Sequence, residues 1–327
     1  MTTAFIKGIE NYTRKDGIPV IATVGTFDGI HRGHRAIFDR VRRQSIETGS
    51  RAVLITFHPH PRVMVSPENI PLLLTTIEEK GKFVPKFFDG KVLILDFNDK
   101  LRNMSAHEFV KDILVAKVGI SKLIVGYDHA FGKNRSGDIP AMQSMGKEMG
   151  FEVEVVEPVM VKDKPVSSSR IRQAIKENRY REAIDLLGHD YAIYGIVERG
   201  IGLGHKLGYP TANVNYNHRK LLPAEGVYSC YIEVDGEYHD GMMFIGRNHF
   251  NPADRISVEV NIFNFKEDIY DNEIIVYPTH FIRENRKFNA TAKLVEQIEK
   301  DKINVIRIIN EERKNGFDQR AESSNYF

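Results

Sequence analysis

The hydrophobic pattern of this chain changes once, near Leu187, and that change restricts the folds open to it. Before Leu187, short apolar runs rich in β-branched residues alternate with longer amphipathic segments. After it, apolar and polar residues alternate with a period of two between turn residues. The first pattern is typical of a parallel sheet covered by helices, and the second of antiparallel strands. Since 327 residues suffice for two ordinary domains, we predict domains at residues 1–187 and 188–327.

The first half is predicted to be an α/β domain with a doubly wound, largely parallel sheet. Its predicted strands are Val20–Val24, Ala52–Phe57, Val92–Asp96, Leu123–Gly126 and Phe151–Val156. Its predicted helices are Gly33–Thr48, Ile77–Phe87, Ala106–Lys117 and Pro140–Met149. Capping boxes, in which side chains satisfy the free amides of the first turn, are predicted at Thr76–Glu79 and Ser105–Glu108. Ligands of such sheets bind beyond the carboxyl ends of the strands, so the following loops should carry the chemistry.

The second half is predicted to be a small antiparallel β-barrel followed by a C-terminal helix. Asp235-Gly236 is a strong hairpin signal because both residues tolerate positive φ. The closing helix is expected from about Ala290 to Lys314, and residues 318–327 are expected to form a frayed tail. The predicted strands are Ala192–Glu198, Val227–Val234, Glu237–Phe244, Ile256–Asn264 and Glu273–Pro278.

Composition excludes several classes of protein. The chain is 42% hydrophobic and 28% charged, which excludes a disordered chain. Its single cysteine excludes a disulfide framework and any cysteine-cluster metal site, and favours a reducing, cytoplasmic setting. The N-terminus lacks the pattern of a signal peptide, and no apolar run approaches the ~20 residues of a membrane span.

The net charge of +2 argues against a nucleic-acid binder, because such proteins use an excess of cations. The two halves differ, however. In residues 1–187, 29 Lys and Arg stand against 23 Asp and Glu, a net charge of +6, whereas residues 188–327 carry −4. This asymmetry favours small anionic ligands for the first half.

The most informative motif is GTFDGIHRGH, residues 25–34, at the exit of the first predicted strand. His31 and His34 lie three apart, which places both imidazoles on one side of the first helical turn. Small residues let the backbone approach a phosphate, and the helix N-terminus favours an anion there. Surface histidines beside an Asp28 cap would explain the pair alone, but the whole string favours a phosphate site. The other residues expected to line the site are Gly25, Phe27, Asp28 and Gly33.

This string resembles the HxGH signature of nucleotidylyltransferases. Together with four other segments it resembles the bifunctional riboflavin kinase/FMN adenylyltransferases, the bacterial FAD synthetases. The segments are TFHPHP (56–61), LTTIEEK (74–80), VGYDHAFG (125–132) and VSSSRIR (166–172), in the family's order and spacing. The resemblance covers nearly the whole chain and implies a nucleotidylyltransferase-type sheet. It implies that His31 and His34 act on the α-phosphate and the leaving pyrophosphate rather than remove a proton.

The resemblance assigns the VSSSRIR element to ATP phosphates, with Ser169 where the family usually has threonine. The serines alone would fit helix N-caps. Arginines at a helix N-terminus oppose its dipole, so an anion such as triphosphate between them would relieve the conflict. The residues so assigned are Ser167, Ser168, Arg170 and Arg172.

Two other segments are expected to contribute to the same site. The YDHAFG stretch suits a flat ligand, with Phe131 beside its ring and Asp128 available for a ring or ribose hydroxyl. A structural loop explains this stretch equally well. The resemblance also adds His58 of the TFHPHP segment as a binding residue.

A glycine-rich string, GIGLGHKLGYPTAN at residues 200–213, is the main motif of the second half. It is not a Rossmann fingerprint, because a GxGxxG that begins at Gly200 fails at His205. It is not a Walker A loop, because leucine follows Lys206. Glycine turns with no ligand would also explain it; the alternative is a flap that folds over phosphates. The flap residues expected to bind phosphate are Gly202, Gly204, Lys206 and Gly208.

The end of this string offers two neutral oxygen ligands. Thr211 and Asn213 are two residues apart on a predicted strand, so their side chains point to one side. A hydroxyl and an amide oxygen are plausible ligands for Mg²⁺ with ATP, although ordinary strand residues would look the same.

Here the chain resembles the riboflavin kinase module, whose hallmark is PTAN, and the family's catalytic glutamate corresponds to Glu259. The riboflavin 5′-hydroxyl must lose a proton when it attacks the γ-phosphate, so one carboxylate is the chemical minimum. Without the resemblance, Glu259 would be assigned to a solvated outer face. The chain departs from the family at Leu203 and His205, where arginines are usual, and at residues 247–250, where Arg-Asn-His-Phe replaces Arg-Pro-Thr.

The resemblance implies two reactions, each using ATP with Mg²⁺. Riboflavin becomes FMN in the C-terminal domain, and FMN becomes FAD with release of pyrophosphate in the N-terminal domain. One alternative keeps HxGH with another acceptor, as in pantetheine-phosphate or glycerol-phosphate nucleotidyltransferases. A second makes the barrel a regulatory flavin-binding module with a weakened kinase site. We expect no nucleic-acid or membrane partner, and no apolar stripe demands an oligomer.

Overall fold

The computed structural model describes residues 3–15, 17–65, 68, 70–132, 137–200, 202–247 and 256–314. Its contacts separate two compact units. Unit 1 is Met1–Leu73 with Lys80–Ser168, and unit 2 is Leu74–Glu79 with Ser169–Phe327. The predicted tail and most of the 247–250 departure lie outside the described residues.

Unit 1 is built on a six-stranded sheet in which every neighbouring pair is parallel. In chain order its strands are β1 (Ala4–Lys7), β2 (Val20–Val24), β3 (Arg51–His58), β4 (Lys91–Asp96), β5 (Ile120–Gly126) and β6 (Glu152–Val156). A two-stranded ribbon follows, formed by β7 (Met160–Val161) and β8 (Lys164–Pro165). The predicted parallel sheet is confirmed. Its pattern does not reveal β1, a four-residue edge strand with no buried residue.

The order of strands in the sheet is β1-β4-β3-β2-β5-β6. The order reverses beside β2, so the carboxyl ends of β2 and β5 border a crevice of the kind that binds ligands in open α/β sheets. All five residues of β2 are buried, as expected of a central parallel strand, which explains the continuous apolar run in the sequence. Ala22 and Val24 of this strand belong to the apolar core of unit 1.

The helices of unit 1 include the four predicted ones, one of them with a change of type, and two short helices that the pattern does not predict, Arg62–Val65 and Asp99–Asn103. In chain order the helices are α1 (Arg32–Thr48), α2 (Arg62–Val65), α3 (Ile77–Phe87), α4 (Asp99–Asn103), α5 (Ala106–Glu108) and α6 (Ile139–Met149). α3 also contributes its first residues to unit 2. The predicted α-helix Ala106–Lys117 is largely a π-helix, Phe109–Val118. Its buried Phe109, Leu114 and Val118 recur at intervals of four to five residues, which suits the wider π turn.

Both predicted capping boxes are present. The Glu79 carboxylate accepts the Thr76 N–H at 2.9 Å, and the Thr76 hydroxyl accepts the Glu79 N–H at 3.3 Å. The corresponding distances between Ser105 and Glu108 are 2.7 and 3.1 Å. Each box satisfies free amides of a helix start.

Unit 2 is a closed antiparallel barrel of order β10-β13-β12-β11-β14-β9, as predicted. Its strands are β9 (Ile193–Glu198), β10 (Ala212–Tyr216), β11 (Gly226–Val234), β12 (Glu237–Arg247), β13 (Ile256–Ile262) and β14 (Glu273–Arg283). Its further helices are α7 (Ser168–Lys176), whose first residue belongs to unit 1, α8 (Tyr180–Leu187), α9 (Leu203–Lys206) and α10 (Thr291–Lys314). Asp235 and Gly236 have φ of 50° and 86°, so the hairpin forms as expected. None of the helices formed by the described residues is both long and apolar enough to cross a membrane.

The compact units divide after Ser168, whereas the hydrophobic pattern of the sequence changes at Leu187. The difference arises because the segment containing α7 and α8 packs within unit 2. The Asn178 side chain accepts the Tyr228 hydroxyl at 3.1 Å, and the Tyr180 ring meets the Tyr191 ring edge-on. The division at Leu187 stays a prediction about which residues serve which activity.

A buried ion pair joins the segment Leu74–Glu79 to the rest of unit 2. Glu79 and Lys220 are 1% and 3% exposed, and their charged atoms lie 2.7 Å apart. Lys220 Nζ also donates to the Leu74 carbonyl at 2.6 Å, and Glu79 Oε1 accepts the Tyr194 N–H at 3.1 Å. Because neither charge is exposed to water, each is stabilised only by its buried partner and its hydrogen bonds.

We expect Glu79→Gln to destabilise unit 2 by about 3–5 kcal/mol, because it leaves the Lys220 ammonium buried without a counter-charge. The unfolding midpoint, measured by circular dichroism, should fall well below that of Glu78→Gln, a change at the exposed neighbouring residue. Adding Lys220→Met should restore part of the loss. Equal midpoints for the two glutamine variants would contradict this assignment.

Candidate active sites

The loop between β2 and α1 makes a tight turn at the carboxyl end of the central strand. Phe27, Gly29 and Ile30 have φ of 46°, 94° and 44°. Phe27 and Ile30 are 4% and 0% exposed, so packing holds their left-handed backbone in place. Such strained residues persist where the surrounding structure fixes them, commonly at functional sites.

His31 and His34 are brought together at the start of α1. His31 is the N-cap, and its Nδ1 accepts the His34 backbone N–H at 3.4 Å. The two rings stack with centroids 3.6 Å apart and planes 17° apart. Because Nδ1 of His31 accepts this hydrogen bond, the neutral tautomer of the ring would carry its proton on Nε2.

His34 is half-buried, and its Nδ1 is enclosed without a hydrogen-bond partner in the part of the chain that the structure describes. The edge of the Phe27 ring packs against it, with centroids 5.3 Å apart. Burial lowers the pKa of His34 well below its usual value, and the charges of His31 and Lys80 act in the same direction. The ring is therefore neutral at pH 7 and suited to hydrogen bonding.

Two glycines of the loop allow this close packing. A Cβ on Gly33 would lie 3.2 Å from the His31 ring, and one on Gly25 would lie 3.1 Å from the Phe27 ring. Asp28 is 1% exposed, and its carbonyl accepts the Ser168 hydroxyl at 2.8 Å. Ser168 thus has two features: it is the first residue of α7, and its hydroxyl contacts the loop directly.

The remaining predicted residues of the first site differ in their surroundings: two are exposed and one packs partly against the core. Asp128 follows β5 and is exposed, and its Oδ1 would lie 3.6 Å from a Cβ on Gly126. His58 ends β3 and is exposed. The Phe131 ring packs on Phe109 of the core, with centroids 5.2 Å apart, so part of its surface serves packing.

The arginines of the VSSSRIR element belong to unit 2 by contact. Arg170 Nη2 lies 3.8 Å from Glu182 Oε1. Arg172 is half-buried, and Ser167 immediately precedes α7. The assignment of Ser167, Arg170 and Arg172 to ATP phosphates stays a prediction.

Glu259, Asn213 and Thr211 meet on the outer face of the barrel. Val258 and Val260 point into the barrel core, so the alternation of β13 turns Glu259 outward. Asn213 of β10 is its direct cross-strand partner. Thr211 Oγ1 lies 3.5 Å from Glu259 Oε2, and Ser257 Oγ lies 3.5 Å from Glu259 Oε1. Ser257 is not among the predicted site residues, because only the register of the strands shows that it lies beside Glu259.

The glycine-rich string forms a short helical turn, α9, directly against this cluster. Gly202 and Gly208 flank it with φ of 69° and 81°. A Cβ on Gly204 would lie 3.0 Å from Thr211 Oγ1 and 2.4 Å from the Tyr209 carbonyl. A Cβ on Gly200 would lie 2.2 Å from Asn213 Nδ2. The Tyr209 carbonyl requires glycine at position 204, whereas a side chain at position 200 would displace that of Asn213. Lys206 and His205 are exposed on the turn.

The donors around Glu259 are a carboxylate, a hydroxyl and an amide. Hard oxygen ligands of this kind suit Mg²⁺ better than softer metals. Among the described residues, no three His, Cys, Asp or Glu side chains form a metal-binding group.

Comparisons with known proteins agree with this arrangement. The family model for FAD synthetase matches residues 13–170, and that for riboflavin kinase matches residues 187–309. The bifunctional riboflavin kinase/FMN adenylyltransferase of Pseudomonas fluorescens is 35% identical over 90% of this chain and 94% of its own. The Bacillus subtilis enzyme of the same name is 31% identical over 96% of this chain and all of its own.

A solved structure extends the similarity. A Streptococcus pneumoniae protein named as a macrolide-efflux protein has a TM-score of 0.80 and 28% identity, covering 92% of this chain and 98% of that one. The two family models and the two relatives point to the same family. The order of the two folds along the chain is consistent with it. The chain belongs to the bifunctional riboflavin kinase/FMN adenylyltransferase family, with the FAD synthetase domain first and the riboflavin kinase domain second, and it makes FMN from riboflavin and FAD from FMN.

Proposed function

We propose that the GTFDGIHRGH loop of unit 1 performs the adenylyl transfer, with His31 and His34 as its catalytic residues. A phosphate oxygen of FMN attacks the α-phosphorus of ATP, and the bond to pyrophosphate breaks. The FMN phosphate is already anionic, so this step needs no general base; placement and charge stabilisation carry it. The observation that carries the proposal is the stacked histidine pair at the N-terminus of α1.

Each group of this loop has a separate task. Nε2–H of His31 donates to an oxygen on which charge develops, and neutral His34 adds a second contact without releasing a proton. The N-terminus of α1 attracts the phosphates through the helix dipole. Gly25 and Gly33 permit close approach, and the buried carboxylate of Asp28 stiffens the turn. Phe131 and Asp128 remain candidates for the flavin.

We assign riboflavin phosphorylation to the cluster of Thr211, Asn213 and Glu259. Glu259 takes the proton of the riboflavin 5′-hydroxyl as that oxygen attacks the γ-phosphorus of ATP and ADP leaves. Thr211 and Asn213 would hold Mg²⁺, which neutralises charge on the ATP phosphates when bound. Gly202, Gly204 and Gly208 let the backbone amides of the flap approach those phosphates.

The same proposal places the enzyme in the cytoplasm. Its only cysteine, Cys230, is buried in the barrel core. Burial raises the pKa of this thiol well above its usual value, so it stays protonated and unreactive. A reducing compartment that supplies ATP suits such a chain.

His31→Ala should lower the rate of FAD formation by about 10²–10³-fold, because it removes one donor to the developing charge. With riboflavin, ATP and Mg²⁺ supplied, chromatography should show FMN accumulating in place of FAD. His107→Ala, which removes an exposed histidine of the same unit, is the matched control. Unchanged FAD formation in His31→Ala would show that this loop is not the adenylyltransferase site.

Glu259→Gln should lower riboflavin phosphorylation by about 10²–10⁴-fold, because the amide cannot accept the hydroxyl proton. The same protein should still convert supplied FMN to FAD at the wild-type rate. Glu267→Gln, at an exposed position after β13, controls for the loss of one charge. Normal FMN formation by Glu259→Gln would remove Glu259 from the mechanism.

A further inference from the structure

Lys80 lies within unit 1 on α3, far in sequence from the HxGH string, yet its side chain reaches the loop that leads into that string. It is only 7% exposed, and its Nζ donates to the Thr26 carbonyl at 2.6 Å. Thr26 directly precedes Phe27, the first residue of the turn with positive φ. The Thr56 hydroxyl also donates to the same carbonyl, at 3.4 Å. An ammonium is a costly group to bury, so one found at this depth calls for an explanation.

Lys80 acts on the loop through its charge as well as through its hydrogen bond. Burial lowers the pKa of Lys80, while the buried carboxylate of Asp28 opposes that shift. Lys80 in turn is one of the charges that lower the pKa of His34, together with His31. The ammonium, the Asp28 carboxylate and the two imidazoles thus form one electrostatically coupled group around the turn.

We propose that Lys80 is a positioning residue for adenylyl transfer: its ammonium fixes the Thr26–His34 loop in its catalytic shape and places a positive charge beside the two histidines. The proposal rests on the assignment of adenylyl transfer to this loop. Lys80 acts through Thr26 and His34, so its removal should reduce kcat for FAD synthesis more than it raises KM for ATP.

If Lys80 were only structural, its replacement would leave the pH profile of FAD synthesis unchanged. In the proposed role, its replacement changes that profile. His34 must be neutral to serve as assigned, so FAD synthesis falls at acid pH as His34 gains a proton. The groups that face His34 are His31 and Lys80, and Asp28 faces Lys80. Removing the ammonium raises the pKa of His34, and the acid limb of the profile should move to higher pH.

The test compares Lys80→Met with Lys82→Met, which removes an exposed lysine two residues along α3. Both full-length proteins are assayed for FAD synthesis from FMN and ATP across pH, and for riboflavin phosphorylation in the second domain. Lys80→Met should lower kcat for FAD synthesis by about 10²-fold, as expected when a catalytic group is misplaced. It should shift the acid limb upward and leave riboflavin phosphorylation unchanged, while Lys82→Met should match the wild type.

Two results would overturn the proposal: wild-type FAD synthesis in Lys80→Met, or a loss of FAD synthesis with an unmoved acid limb, which marks a structural role only. Should Lys80→Met not fold, Lys80→Arg keeps the charge and is expected to retain the acid limb with a lowered kcat. An acid limb that moves in that variant, although the charge is kept, would count against the proposal. His31→Ala run in parallel separates the two claims, because unchanged FAD synthesis there means that the loop itself was misassigned.

Discussion

The candidate site of unit 1 depends on a left-handed turn between β2 and α1 in which two residues other than glycine have positive φ. Phe27 and Ile30 hold positive φ values although both are large and apolar, at a cost of about 1–3 kcal/mol each. Burial of their side chains in unit 1 holds this conformation. The turn delivers His31 to the N-cap of α1, and the cap hydrogen bond sets the stacking of the two imidazoles. The geometry of the histidine pair is thus a consequence of core packing.

The second site obeys a different constraint. Closure of the barrel forces its strands to alternate between core and surface, so Glu259 emerges between Val258 and Val260, which are both buried. Strand register then sets Asn213 opposite Glu259. Two glycines of the string approach this cluster closely: a Cβ on Gly200 would lie 2.2 Å from Asn213 Nδ2, and one on Gly204 would lie 3.0 Å from Thr211 Oγ1. Leucine and histidine stand at positions 203 and 205 of this string, and His205 and Lys206 are exposed on the turn.

Local pattern was enough to predict most of the longer elements but not their contacts across the chain. The strand Val20–Val24 and the helix Ile77–Phe87 match to the residue, because one is a short run rich in β-branched residues and the other begins with a capping box. The edge strand β1 and the π-helix leave no comparable signal. The hydrogen bond from Lys80 to Thr26 spans 54 positions and follows only from the fold.

The central claim is that one chain carries two separate active sites, one in each fold. The most direct test mixes the His31→Ala and Glu259→Gln proteins and supplies riboflavin, ATP and Mg²⁺. Neither protein alone should form FAD from riboflavin, but the mixture should, because FMN released by the first is a substrate for the second. FAD formation by either variant alone, or accumulation of FMN without FAD in the mixture, would contradict the account.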